Sequence, residues 1–487
     1  MVGYNPFTLK GKTILVVGAS SGIGLATAIE CAKLGANVVL NGRNELRLKE
    51  GLSLLDTSEG QQHHCVIADI TLDDVVQTIA SLDITLDGVF SNAGITNGSK
   101  PIKFVSEEEL LAVFQTNVLA HFQLAKAVFK KKLLKKNGAY VFTSSIGGNI
   151  SAVPKDVKEI KDLPFFAPGE AEKVIALTHV ERSRIVPKGM CCSDLCQAAA
   201  EKLLDTLGWE RETVEALIFV SLSRDYIAPA TANILQEKLH LPKSCMAFDI
   251  PLACSGYVYG LSVISSLMSS GNIKKALLLV GETTSVLQSP LDKTLWPLHG
   301  DAGSATALEY KEGVAPMFFD LMSDGSGAGA IMHEYGGTRN PMNEDSLRMR
   351  EREDGIIRKG YHGYMDGMSV FSFSVKEPPA AIKALCEYNG IDLNSIDYLL
   401  LHQANKYMDE KIGKKLKIPS EKIPYSLMQY GNTSSTSIPM TIVVGIGDKL
   451  SQEQADVIMC GFGAGLSWAA AYIKLNHIVS LPLIELG

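Results

Sequence analysis

Residues 247–271 read "AFDIPLACSGYVYGLSVISSLMSSG". An apolar run stops at Pro251, and from Gly256 on the apolar side chains recur at helical spacing, so the stretch reads as strand, tight turn and helix with Cys254 in the turn. A sulfur placed there faces the N-terminus of a helix, where the dipole and the unpaired amides favour an anion and draw the thiol toward the thiolate. A free cysteine is more commonly a small buried hydrophobe. The reading of Cys254 as a nucleophile therefore rests on which other groups reach it.

Two do, and both come from a second copy of the same pattern. Residues 207–223, "LGWERETVEALIFVSLS", parallel residues 389–405, "NGIDLNSIDYLLLHQAN", and "EKLHLPKSCMAFD" (237–249) parallels "KKLKIPSEKIPYS" (414–426). Gly390 follows Gly208 by 182 residues, Pro419 follows Pro242 by 177, and Asn432 follows Cys254 by 178. An offset that barely drifts is the mark of an internal duplication. His402, at the end of an apolar strand, then stands where the first copy has Val220, and Asn432 in "QYGNTSSTSIP" stands where it has Cys254. Two α/β units packed about a pseudo-twofold axis bring the three side chains to one site between the halves.

Upstream, residues 12–43, "KTILVVGASSGIGLATAIECAKLGANVVLNGR", form one βαβ unit with a glycine-rich turn. Gly18, Gly22 and Gly24, with Ser20, Ser21 and Ile23 between them, let the backbone approach a pyrophosphate at a helix N-terminus. Arg43 follows the second strand where an acid would select NAD, which favours NADPH. Further apolar runs extend a parallel sheet to a fifth strand. Residues 1–148 resemble the short-chain dehydrogenase/reductase family through "GASSGIG", Asp69, "SNAG" with Asn92, Asn117 and Ser145. That resemblance makes Asn117 and Ser145 members of a catalytic set whose Tyr-x-x-x-Lys pair must follow. Residues 140–158 read "YVFTSSIGGNISAVPKDVK", and the next tyrosine is Tyr226. The general acid is missing, and acid catalysis is hard to replace without its geometry. Lys158, 13 residues after Ser145, reads as a solvated surface lysine. The expectation is a truncated nucleotide-binding region that has lost reduction.

Composition narrows the rest. The 487 residues are 46% hydrophobic and 20% charged with a net charge of -7, which suits two or three compact domains and supplies no bulk charge for nucleic acid. No signal peptide or membrane span is expected, so the chain reads as soluble and cytosolic. The nine cysteines read as reduced thiols. "CCSDLC" (191–196) has no second ligand pair at zinc spacing and reads as a helix start, so no metal is expected.

From about residue 149 the chain resembles β-ketoacyl-ACP synthase III, of the thiolase-like condensing enzymes, through "ACSG", "HQAN", "GNTS" and "GFGAGLSW" in that order. Together the two resemblances imply an α/β fold: a partial Rossmann-like parallel sheet (1–148), then the two halves of a thiolase-like α/β/α/β/α fold (149–320 and 321–487). The synthase resemblance implies that Cys254 is acylated and that His402 and Asn432 donate to the malonyl thioester oxygen. The backbone N–H groups of Cys254 and Ala464 would form a second oxyanion hole, and the product would be 3-oxoacyl-ACP. The acyl donor would be acyl carrier protein or CoA, with docking of the acidic carrier on Lys406, Lys411, Lys414 and Lys415, and the chain would be a homodimer. Condensation would need no cofactor. Where the family holds CoA with a tryptophan and an arginine, this chain has Lys173 and Leu177. Ala228 replaces the acyl-tunnel phenylalanine, which implies room for a bulkier acyl chain.

Overall fold

The computed structural model describes residues 8–71, 78, 81, 84–93, 116, 120–141, 145–269, 273–310, 316–476 and 478–487. The chain divides into two compact units, residues 1–145 with 310–316, and residues 146–309 with 317–487.

In the first unit, strands β1 (Thr13–Val17), β2 (Asn37–Gly42), β3 (His64–Ile67), β4 (Leu86–Ser91) and β5 (Leu134–Val141) make one sheet in the order β3-β2-β1-β4-β5. All four pairings are parallel. Helix α1 (Gly22–Lys33) leaves the end of β1 through the glycine-rich turn. Leu15, Val17, Val39, Val66 and Val89 are buried on one face of the sheet, and Val16, Val38 and Leu40 on the other. Both faces are covered, which is why these strands read as continuous apolar runs.

The second unit is built twice. Its first sheet contains β6 (Ser145–Pro154), β7 (Ala216–Val220), β8 (Met246–Ile250), β9 (Lys275–Glu282) and β10 (Ala302–Glu309), in the order β8-β7-β9-β10-β6. Its second contains β11 (Phe318–Ser323), β12 (Tyr398–Leu401), β13 (Gln454–Gly463) and β14 (Ser467–Asn476), in the order β12-β13-β14-β11. In each, a strand runs parallel to the next and that one antiparallel to a third: β7 with β9 and β9 with β10, then β12 with β13 and β13 with β14. Helices α4 (Cys192–Leu207) and α6 (Glu377–Asn389) precede equivalent strands, with α2 (Glu45–Ser53), α3 (Ala120–Lys130) and α5 (Gly256–Ser269) completing the numbering to that point. Gly208 and Gly390 both cap their helices in the left-handed conformation, φ 62° and 64°. Only a residue without a Cβ takes that φ at little cost, so the two glycines that set the sequence offset do the same work in both copies.

The cores repeat as well. Phe219, Leu277, Leu279 and Ala305 pack on Leu195, Ala199 and Leu203 of α4, while Leu399, Leu401, Ile458 and Ala470 pack on Ile382, Leu385 and Cys386 of α6. Truncating one such leucine to alanine costs about 2–5 kcal/mol. The division at residue 148 falls inside β6, and the division at residue 320 inside β11. Among the described residues no helix is long and apolar enough to cross a membrane.

Candidate active site

Cys254 follows β8 and precedes α5, so the strand delivers it and the helix starts two residues later. The close fit there depends on glycine. A Cβ on Gly463 would lie 2.8 Å from the Cys254 Cβ and 2.9 Å from its Sγ, and one on Gly461 would lie 2.7 Å from the Cys254 carbonyl oxygen. The glycines of "GFGAG" let β13 pass directly beneath the sulfur. Gly463→Ala should therefore displace Sγ and lower the rate of Cys254 acylation by about 10²-fold, the cost of an ångström-scale misplacement. An unchanged acylation rate, read by intact-protein mass spectrometry, would contradict this packing argument.

The thiol departs from the expectation of a thiolate. Burial pushes Cys254 up to about 11, and the nearby Glu282 carboxylate adds to the rise. A hydrogen bond from the Ser434 hydroxyl, 3.7 Å from Sγ, and backbone hydrogen bonds at Cys254 and Ala464 act in the opposite direction without overcoming it. The helix start does not overcome desolvation, and the nearby imidazole supplies no cation. Burial holds His402 down at about 3, and His299 adds to that effect.

His402 directly follows β12, its backbone N–H donating to the Cys460 carbonyl at 2.8 Å and its ring set edge-on to Phe462. His402 Nδ1 lies 2.8 Å from Ser437 Oγ, which is itself 2.8 Å from the Ser434 carbonyl. Asn432 is held on three sides. Its N–H donates to Leu298 O, its carbonyl accepts from Gly300 N–H, and its Oδ1 accepts from Ser434 N–H at 2.9 Å. The last contact identifies the outward atom as Nδ2, a donor. Cys254, His402, Asn432 and Ala464 all line one cavity of ≈ 910 Å³. The motif and the repeat offset pointed to this convergence, and the second unit by itself builds it.

Other groups on this cavity went unrecognised in the sequence. Glu282 ends β9 almost wholly buried, accepting from Leu222 N–H, Ser223 N–H and Ser223 Oγ–H, and burial raises it to about 7. A charge closing an apolar strand was the available signal. Ser434 lies inside "GNTS" without having been singled out, and His299 and Gln288 carried no signal at all; Ser437 sits behind His402 rather than on the cavity wall.

Lys158 corrects its solvated reading. It is only 6% exposed, its Nζ donates to the carbonyls of Trp296 (2.5 Å) and His299 (2.7 Å), and it lies over the Trp296 ring. Burial lowers it to about 8. Ala228 is exposed and does not line the cavity, whereas Leu177 does. Of the four docking candidates on helix α7 (Lys406–Leu416), Lys411, Lys414 and Lys415 are exposed. Lys406 is half-buried and its Nζ donates to His179 Nε2 at 3.1 Å.

In the first unit, a Cβ on Gly18 (φ +75°) would lie 2.6 Å from Ala93 N, and one on Gly24 would lie 2.3 Å from Gly18 O, so the turn demands glycine at both. Gly22 is also left-handed, and Ser21 starts α1 without a side-chain cap, which leaves the first amides of the helix to an anion. Ser20 is half-buried at the turn, and the backbone of Ile23 lies in α1. Arg43 is exposed and pairs with Asp69 at 3.5 Å. Asn92 Oδ1 is buried and has no hydrogen-bond partner among the described residues. Ser145 opens β6 rather than closing β5, and Asn117 lies outside the described residues. Among the described residues there is no cluster of metal-ligating side chains.

A duplicated α/β scaffold with a cysteine at the helix start of one half, and a histidine and an asparagine from the other, defines a condensing enzyme of the thiolase-like class. Comparison with known proteins narrows this. The family models for 3-oxoacyl-[acyl-carrier-protein] synthase III and for its C-terminal region match residues 248–325 and 386–475. The β-ketoacyl-[acyl-carrier-protein] synthase III of Clostridium perfringens is 33% identical over 66% of this chain and 96% of its own length. A crystal structure of a 3-oxoacyl-(acyl-carrier protein) synthase from Burkholderia xenovorans is 36% identical and covers 71% of this chain and 98% of its own, with a TM-score of 0.67. A synthase III structure from Thermus thermophilus, 28% identical, covers 68% of this chain with a TM-score of 0.59. The chain belongs to the 3-oxoacyl-[acyl-carrier-protein] synthase III family. Its residues 12–154 match the short chain dehydrogenase family model.

Proposed function

We propose that the second unit condenses an acyl thioester with malonyl-ACP, with loss of CO₂, to give a 3-oxoacyl-ACP. The observation that carries this is the opening of Cys254, His402 and Asn432 onto one cavity, with the sulfur held against two backbone amides. In the first step Cys254 Sγ attacks the thioester carbonyl and the backbone N–H groups of Cys254 and Ala464 receive the oxyanion. The carrier's sulfur leaves as a thiol, taking the proton that Cys254 gave up. In the second step the bond from the malonyl methylene to its carboxylate breaks and CO₂ departs. The electron pair forms an enolate that attacks the acyl-enzyme carbonyl, the Cys254 C–S bond breaks, and the released thiolate takes one proton from solvent. Asn432 Nδ2–H and His402 Nε2–H stabilise the enolate oxygen.

Ser437 suits both steps. Its single proton goes either to the Ser434 carbonyl, which leaves His402 Nδ1 protonated and Nε2 an acceptor for the Cys254 proton, or to His402 Nδ1, which leaves Nε2–H a donor to the enolate. Intact-protein mass spectrometry tests the reading: incubation with acyl-ACP or acyl-CoA should add one acyl mass at Cys254, and malonyl-ACP should then discharge it as 3-oxoacyl-ACP. No adduct from any thioester would refute it. An acidic carrier fits the exposed Lys411, Lys414 and Lys415. Lys414→Glu should raise KM for malonyl-ACP several-fold with kcat maintained, as rim charges act on encounter; an unchanged KM would remove this lysine from docking.

A second activity, NADPH binding by the first unit, is favoured by the glycine-only turn, Arg43 and the unpaired Asn92 oxygen. The nicotinamide cofactor would supply a hydride, but the missing Tyr-x-x-x-Lys pair leaves no acid to complete a reduction. Gly18 and Gly24 would shape the phosphate turn and Arg43 would hold the 2′-phosphate. A fluorescence titration should saturate with NADPH and fail in Gly18→Ala; no saturable signal with the parent protein would end the idea.

A further inference from the structure

The cavity wall carries hydrogen-bonding groups that neither condensation step uses. His299 is the first. Its Nδ1 lies 3.2 Å from the Leu295 carbonyl, which can only accept, so Nδ1 carries the hydrogen and Nε2 is left as an acceptor on the ring that lines the cavity. The ring's position is imposed by the backbone. His299 bridges Asn432, with Asn432 N–H donating to Leu298 O and Gly300 N–H to Asn432 O, while Lys158 grips the carbonyls of Trp296 and His299 itself. Gln288 is the second. It lines the same cavity at 8% exposure, and its Oε1 has no hydrogen-bond partner among the described residues.

Buried polar atoms are nearly always paired, and an unpaired one costs the full desolvation of the group. A plain alkyl chain laid against His299 and Gln288 would leave both unpaired, or would displace water that had satisfied them without replacing its hydrogen bonds. His299 also cannot answer by taking a proton. Burial lowers it to about 4, and the Lys158 ammonium and His333 act in the same direction. It accepts a hydrogen bond and stays neutral.

We propose that the starter acyl group carries its own hydrogen-bond donor, a hydroxyl first and an amide N–H second, which His299 Nε2 accepts and the Gln288 carboxamide engages. The inference rests on the acyl-transfer reading of the cavity and names the class of acyl group it takes. A site built to pair a substrate hydroxyl discriminates strongly against the analogue without it, far more than an apolar pocket discriminates by size.

The experiment compares loading of Cys254 by butanoyl-ACP with loading by 2-, 3- and 4-hydroxybutanoyl-ACP and by an N-acetylglycyl thioester, as kcat/KM from intact-mass time courses on the full chain. At least one donor-bearing group should exceed butanoyl by about tenfold or more. His299→Phe, and independently Gln288→Leu, should bring that ratio toward one. Butanoyl loading as well as or better than every donor-bearing group would overturn the inference and leave the condensing reading intact. A preference that survives both substitutions would overturn it equally. Failure of every thioester to load would instead fault the acyl-transfer reading beneath it.

Discussion

Cys254→Ala should eliminate the acyl adduct and lower 3-oxoacyl-ACP formation by about 10⁴-fold or more, the scale of removing a nucleophile on which both half-reactions depend. No other thiol can substitute. Cys192, Cys196 and Cys460 are buried, and none of the other eight cysteines lines the cavity. The same residue has a distinctive pH signature. With the thiol raised to about 11 by burial and His402 held near 3, no thiolate–imidazolium pair exists at neutral pH. The anionic fraction grows as pH rises toward the thiol's value, so iodoacetamide modification of Cys254, followed by peptide mass spectrometry, should accelerate about tenfold per pH unit between 7 and 10. A plateau at or below pH 7 would mean a preformed thiolate and would contradict the neutral pair.

The second large effect falls on condensation. Asn432→Ala removes the Nδ2 donor and should lower the decarboxylating step by about 10²–10³-fold, as does loss of one preformed oxyanion donor. Because Oδ1 is already tied to Ser434 N–H, Asn432→Asp places a carboxylate oxygen where the donor was and should do worse than alanine. Comparing single-turnover loading with malonyl-dependent discharge separates the two half-reactions. Equal losses in both would show that Asn432 acts by holding the fold rather than by receiving enolate charge.

Lys158 shows how far a linear reading can miss. No motif near it distinguished it from the lysines of helix α7, yet its ammonium is buried over Trp296 and grips the turn that presents His299. Lys414, with similar neighbours in the chain, is exposed. Distant residues make the difference: the carbonyls that receive Lys158 lie about 140 residues away.

The duplication, the parallel strands of the first unit, and the meeting of Cys254, His402 and Asn432 could all be read along the chain. Periodicity, glycine conformation and motif spacing are local properties, and a repeat offset carries them from one half to the other. The neutrality of Cys254 and His402, the burial of Lys158 and Glu282, the two places open to the Ser437 proton, and the unpaired polar groups on the cavity wall came only with tertiary structure. Each depends on how much water a group loses and which dipoles replace it, and that is decided by segments far apart in sequence that fold against one another.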